Sequence, residues 1–330
     1  MSLLIPTHND YVDAHGALDE EQEFYRQFEL VKDHKDEQGN YKYPWSFEVV
    51  EGFFKQADDN TDDAKFNYAV EDFGRLKSWS EIKQDLQKLN ENAASNEQYK
   101  LIFFARHGQG YHNVIVEKYG IEEWHKHRRF QTTDGELTYA PDASLTPVGI
   151  KQAKENNEAW KRELSLGAPV PSKFFVSPLQ RSSQTLVLTW NDLKPESLKP
   201  LITPLIRETM GESLCDKRSP VAVIKERFSK YGFVIPEDMP EDDIDFRNDL
   251  RETMPEQTFR VHSFLQGLFD EDIDSDNKVD KESAHANTFI STTSHAGTIR
   301  CFIVALKHRH FTISTGGMIP ICIKGTRRVD

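Results

Sequence analysis

This sequence predicts an α/β fold, a three-layer α/β/α sandwich with a mostly parallel central sheet, plus an N-terminal wrapping arm. Three observations predict it. From residue 99 onward, short apolar runs alternate with stretches of helical periodicity, the order of strand and crossover helix. The run at 101–105 is continuously apolar, which fits a strand buried on both faces. That run ends directly in a cation and an imidazole, and the carboxyl edge of a parallel sheet is where open α/β folds bind ligands.

Taken in order, residues 1–98 lack this alternation. Acidic stretches at 19–24 and 56–64 flank an aromatic-rich segment with Tyr41, Tyr43, Trp45, Phe47, Phe53 and Phe54, continued by Phe66, Tyr68, Phe73 and Trp79. Such density is too apolar for a disordered tail. It predicts an arm with two or three short helices, the last over 80–90. The strand 100–105 follows, then a long polar segment, 117–144. Thr146 as cap and Pro147 in the first turn open a helix carrying Ile150, Ala153, Trp160 and Leu164. A strand at 173–177 and a helix at 180–190 come next. A further strand at 201–206 belongs near an edge, because Pro204 cannot donate to a ladder. Thr253 and Glu256 form a capping box, and Val261, Phe264, Leu265, Leu268 and Phe269 make the apolar stripe of the helix it opens. A strand at 288–293, a helix at 297–307 and a strand at 318–323 complete the pattern. The acidic stretches 237–245 and 270–285 read as solvated loops. The expected division is therefore 1–98 for the arm and 99–330 for the domain.

Composition narrows the function. The 330 residues are ample for a substantial core. A net charge of −13 argues against nonspecific binding to nucleic acid or to anionic lipid, so neither is an expected partner. It also means that an anionic ligand needs a local positive pocket. No apolar run is long enough for a membrane span, and the start lacks the basic region of a secretory signal. Cys215, Cys301 and Cys322 are odd in number and far apart, which fits a reducing compartment. A cytoplasmic location is expected, with the nucleus also open.

The candidate chemical groups follow strands. Arg106, His107 and Gly108 follow the first, Arg181 the second, Glu208 the third and His295 the fourth. If these strands are neighbours, two arginines, two histidines and a helix N-terminus surround one spot. Guanidinium forks bind phosphoryl oxygens bidentately, and a helix N-terminus adds free N–H groups. Gly108 and Gly297 let the backbone approach closely. Singly, each group has a plainer reading, such as a structural histidine or an exposed Arg207–Glu208 ion pair. Metal binding by His125 and His127 or by His308 and His310 is not expected, since no acidic or thiol partner stands at zinc-like spacing.

Together the motifs resemble the histidine phosphatase superfamily, the phosphoglycerate-mutase-like group. They are Arg106-His107-Gly108 with Asn113, then Asp142, Leu145, Thr146, Gly149, Gln152 and Ala153, then Ser177-Pro178 with Arg181 and Thr185, Arg207-Glu208, and Ser294-His295-Ala296-Gly297. Cys215-Asp216-Lys217-Arg218, and the segment 52–57, resemble a fungal phosphomutase-like branch. The resemblance implies a metal- and cofactor-independent phosphatase acting on a small phosphorylated metabolite and releasing inorganic phosphate. His107 becomes phosphohistidine, while Arg106, Arg181 and His295 hold the transferring oxygens and Asn113 and Gly108 add donors. Glu208 protonates the leaving group, with Asp216 as the alternative donor. A phosphate dianion beside that acid is expected to raise its pKa. A mutase and a catalytically silent phosphate binder are the rival readings.

Overall fold

The computed structural model describes residues 2–328, and six strands organise them. They are β1 (Trp45–Val49), β2 (Glu97–Arg106), β3 (Lys173–Val176), β4 (Leu201–Ile202), β5 (Phe289–Ser294) and β6 (Met318–Arg327), in one sheet of order β1-β6-β2-β5-β3-β4. The pairs β2–β5, β5–β3 and β3–β4 are parallel, while β6 runs antiparallel to both β2 and β1. The sheet is therefore mixed, with a parallel centre.

The continuous apolar run explains the layers. Leu101, Ile102, Phe103 and Phe104 are fully buried. Successive strand residues point to opposite faces. Phe103 meets Trp160 and Trp79 from helices Pro147–Ser165 and Trp79–Asn92. Phe104 meets Phe302 from helix Ala296–Leu306 on the other face. Both faces of the sheet are thus covered by helices. The cap signals fall where expected: Thr146 accepts from the Gly149 N–H ahead of Pro147–Ser165, and Thr253 and Glu256 cap Met254–Asp270 reciprocally. Among the described residues, no helix is long and apolar enough to cross a membrane.

The N-terminal residues contribute more than helices. Trp45–Val49 adds an edge strand, paired from Trp45 opposite Arg327 to Val49 opposite Ile323. Helix Leu18–Val31 packs on Met254–Asp270, where Phe24 and Phe28 meet Phe259. Phe73 sits against Trp160 with ring centroids 4.7 Å apart.

Two expectations are corrected. The strand at 201–206 stops at Ile202, because Thr203 caps a short 3-10 turn, Pro204–Ile206. The acidic stretches are not simply solvated. Asp243 is buried and accepts both Nη atoms of buried Arg207, at 2.8 and 2.7 Å. Asp272 pairs with Lys100, both fully buried, and 281–286 is helical. Unpaired burial of either charge costs several kcal/mol, at roughly 3–5, so these pairs fix where the two stretches run.

Candidate active site

Backbone bonds draw the strand ends together. The N–H of His107 donates to the Ser294 carbonyl at 3.0 Å, and that of Ser177 to the Thr293 carbonyl at 3.0 Å. The carboxyl ends of β2, β5 and β3 therefore lie side by side. Gly108 and Gly149 meet there: a Cβ on Gly108 would stand 2.5 Å from the Gly149 carbonyl oxygen, so no larger residue fits.

His107 is buried at the centre. Its Nδ1 donates to the Gly108 carbonyl at 2.7 Å, which leaves the lone pair on Nε2. Arg181 Nε donates to that Nε2 at 3.3 Å. The guanidinium of Arg181 is fixed by the Cys215 carbonyl, 2.9 Å from Nη1, and by Asp216, 2.8 Å from Nη2. His295 lies beside His107, with ring centroids 5.0 Å apart. Its Nε2 contacts Ser177 Oγ at 2.7 Å, while its Nδ1 is buried without a partner. Arg106 reaches the Ile313 carbonyl and Asp10 through Nη1, and its Nε is also buried and unpartnered. Burial, with Arg181 and Arg106 adding to it, holds His107 well below the usual imidazole range. Burial and Arg181 do the same to His295. Both rings are neutral at pH 7.

Of the remaining expected residues, Gly108 donates its N–H to Thr185 Oγ1 at 3.0 Å. Asn113 is turned to the helix it opens, accepting from the Gly110 N–H at 2.8 Å through Oδ1. Glu208 is half-buried at the N-terminus of helix Ala296–Leu306, where a Cβ on Gly297 would stand 2.5 Å from its Oε1. It lines a cleft of about 490 Å³ with Asp13, Glu20, His125, Arg251, Glu252 and Arg300. Asp216 is not on that lining. The two carboxyls are pushed apart. Burial raises Asp216, with Glu208 adding to it against Arg181. Burial also works on Glu208, but the Thr209 N–H, Arg181 and Arg251 outweigh it and leave the group below its ordinary value. The raised Glu208 expected beside a phosphate is thus not its resting condition.

His112 was not singled out from the sequence. Its ring lies 5.5 Å from that of His107, and its buried Nδ1 has no partner. A Cβ on Gly110 would stand 2.6 Å from that nitrogen, so Gly110 clears space for the ring. The signal was present: an imidazole beside Asn113, four residues past Gly108, at the second position of helix Tyr111–Tyr119. Asp10 was missed as well, since the sequence marks it only as the capping-box partner of Thr7. Among the described residues, no group of three or more His, Cys, Asp or Glu is arranged to hold a metal ion.

Comparison with known proteins identifies the family. The family model of the histidine phosphatase superfamily, branch 1, matches residues 102–313. A probable phosphoglycerate mutase of Arthroderma benhamiae is 31% identical over 84% of each chain. Phosphomutase-like protein 3 of Candida albicans is 34% identical over 70% of this chain and 67% of its own. A probable phosphoglycerate mutase of Saccharomyces cerevisiae is 28% identical over 75% of this chain and 85% of its own.

Proposed function

We propose, since the chain belongs to the histidine phosphatase superfamily, that it is a phosphatase hydrolysing small phosphomonoesters through a phosphohistidine at His107. One observation carries this reading. The Nδ1 bond to Gly108 puts the lone pair of His107 on Nε2, where it accepts a long, 3.3 Å bond from Arg181 Nε, and buried polar atoms without partners, Arg106 Nε among them, stand on neighbouring residues. A neutral, oriented imidazole is a nucleophile, and buried donors without partners suit an anion.

In the first step Nε2 attacks phosphorus, the N–P bond forms and the ester P–O bond breaks. Arg106, Arg181 and His295 meet the charge on the transferring oxygens, with the Asn113 amide as a further donor; the Gly108 backbone, expected as a ligand, instead bonds Thr185 and His107 Nδ1 and so holds the nucleophile. Glu208 gives its proton to the leaving alkoxide, then takes one from the water that attacks phosphohistidine. Inorganic phosphate leaves and Nε2 regains its lone pair. Glu208 is preferred to Asp216 because its Oε1 lies against Gly297, two residues past His295, whereas Asp216 is held on Arg181. A bound dianion pushes Glu208 up from its low resting value, since like charges oppose ionisation. In this reading residues 99–330 are the catalytic domain, 1–98 its arm, and the cytoplasm its location.

A mutase acting on a sugar acid is the rival that the relatives' names favour. The cleft speaks against a second acidic group on the substrate. It carries the carboxylates of Asp13, Glu20, Glu208 and Glu252 against two arginines, of which Arg300 is paired with Asp13 at 3.1 Å and Arg251 donates to the Gly211 carbonyl at 3.0 Å and to Ser213 Oγ at 2.9 Å. Product analysis with 3-phosphoglycerate and a bisphosphoglycerate primer separates the two. The phosphatase reading expects free phosphate in proportion to monoester consumed, without need of primer. Faster appearance of 2-phosphoglycerate than of phosphate overturns it.

A further inference from the structure

Arg106 is held by a residue far outside the family-matched segment. Its Nη1 donates to Asp10 Oδ1 and to the Ile313 carbonyl, the latter at 2.6 Å. Asp10 lies in helix His8–His15 and, like Arg106, is buried. Its other oxygen, Oδ2, accepts the Thr7 N–H and hydroxyl, each at 2.8 Å. The carboxylate is thus fixed at both oxygens. Burial opposes its charge, but Arg106 and the Thr7 bonds outweigh that and keep it ionised. The helix itself is anchored: it packs on Ala296–Leu306, and the Asp13 carboxylate and carbonyl both accept from Arg300 Nη1.

A guanidinium has two edges that can grip an oxyanion. Here Nη1 is consumed by Asp10 and Ile313, and the opposite corner, Nε–H, is buried with no partner. The Asp10 contact therefore selects which edge of Arg106 is left for a ligand. Arg181 is held differently: its carboxylate, Asp216, is on Nη2, and its Nε–H is already given to His107 Nε2 at 3.3 Å.

We propose that Asp10 is a positioning residue for phosphoryl transfer: the N-terminal segment supplies a carboxylate that pins Nη1 of Arg106 and turns its Nε edge to the transferring group. The inference rests on the phosphatase reading of His107. It makes the first residues of the chain part of the catalytic apparatus.

The test compares Asp10→Ala with Val12→Gly. Val12 is exposed on the same helix, so its glycine variant loosens the helix without touching Arg106. Asp10→Ala is expected to lower kcat on an aryl phosphate by at least about tenfold, as small misplacements of a clamp do. KM should move far less, and Val12→Gly should stay near wild type in both. The Nε–H resonance of Arg106, assigned through its loss in Arg106→Lys, should shift in Asp10→Ala and not in Val12→Gly. A kcat for Asp10→Ala within about twofold of that for Val12→Gly, or an unmoved Arg106 resonance, overturns the proposal. Wild-type protein that never phosphorylates His107 would overturn the phosphatase reading instead, while the resonance still reports whether Asp10 holds Arg106.

Discussion

The two sides of the sheet teach different things. On one side, β2, β5 and β3 run parallel and end together, and each delivers its groups to one place: Arg106 and His107, His295, and Arg181 at the start of the next helix. On the other side, β6 turns antiparallel and β1 joins from the N-terminal residues, with Trp45 and Phe47 against Phe269. The parallel side concentrates polar atoms that lack partners. The antiparallel side is held by aromatic packing and by bonds such as Trp45 Nε1 to Asp270 at 2.7 Å, with Gln98 Oε1 and His262 Nδ1 left without partners. Substitutions on the first should change rate with little change in stability, and substitutions on the second the reverse.

The sharpest form of that contrast pairs His107 with Phe73. His107→Ala removes no apolar packing, so the melting temperature should move by only a few degrees. Loss of a covalent nucleophile should lower kcat by at least about a thousandfold. Phe73 is fully buried against Trp160, Trp79 and Tyr68. Phe73→Ala should cost about 3–5 kcal/mol by urea unfolding, through the cavity it leaves. The folded fraction should keep kcat within about threefold of wild type. A folded His107→Ala protein with more than about a tenth of wild-type activity breaks the first half. An unchanged unfolding midpoint for Phe73→Ala breaks the second.

How much of this was legible follows the same division. The parallel side was readable because its signals are local: an apolar run, a cap, and a reactive group within a few residues of one another. The helix 180–190 was expected with the bounds that Gln180–Trp190 shows, and β3 and β5 within one residue. On the antiparallel side the strand expected at 318–323 appears as Met318–Arg327, but β1 was not expected, because Trp45 faces Arg327 and no local pattern names a partner that distant. The same holds for buried charges. Lys100, Asp272, Arg207 and Asp243 look like surface residues until each is seen with its counterion. Asp10 belongs to this class, since its role depends wholly on Arg106. His112 does not: it stands directly beside Asn113, which the motif already marks.

A pH prediction sharpens the aromatic side. His262 is buried on helix Met254–Asp270 with its ring 4.8 Å from Phe28, 5.2 Å from Tyr43 and 5.6 Å from Phe47, all N-terminal residues. Burial lowers its pKa to about 4. The unfolded chain titrates near 6.5, so between those values the unfolded state binds more protons and stability falls as pH falls. From pH 7 to pH 5 the loss from this one group should be about 2 kcal/mol. Urea unfolding of His262→Phe should lack that share of the slope. An identical slope in wild type and variant would show that the ring is not shielded by the N-terminal residues.

A last contrast concerns the one ambiguity on the parallel side, the division of labour between Glu208 and Asp216. Glu208 lines the cleft, and Asp216 backs Arg181. A proton donor matters in proportion to the basicity of the leaving group. Glu208→Gln should therefore slow hydrolysis of an alkyl phosphate by about a hundredfold. With a nitrophenyl phosphate the first step should slow by less than about tenfold, because nitrophenolate leaves without a proton. The same variant lacks the base that activates water, so phosphohistidine should accumulate. A burst of nitrophenol equal to the enzyme concentration, followed by slow turnover, is the expected trace. Asp216→Asn should instead loosen Arg181 and affect both esters by a similar factor, with no burst. If Asp216→Asn gives the leaving-group dependence and Glu208→Gln does not, the roles are exchanged, and the raised carboxyl of Asp216 is the acid of the first step.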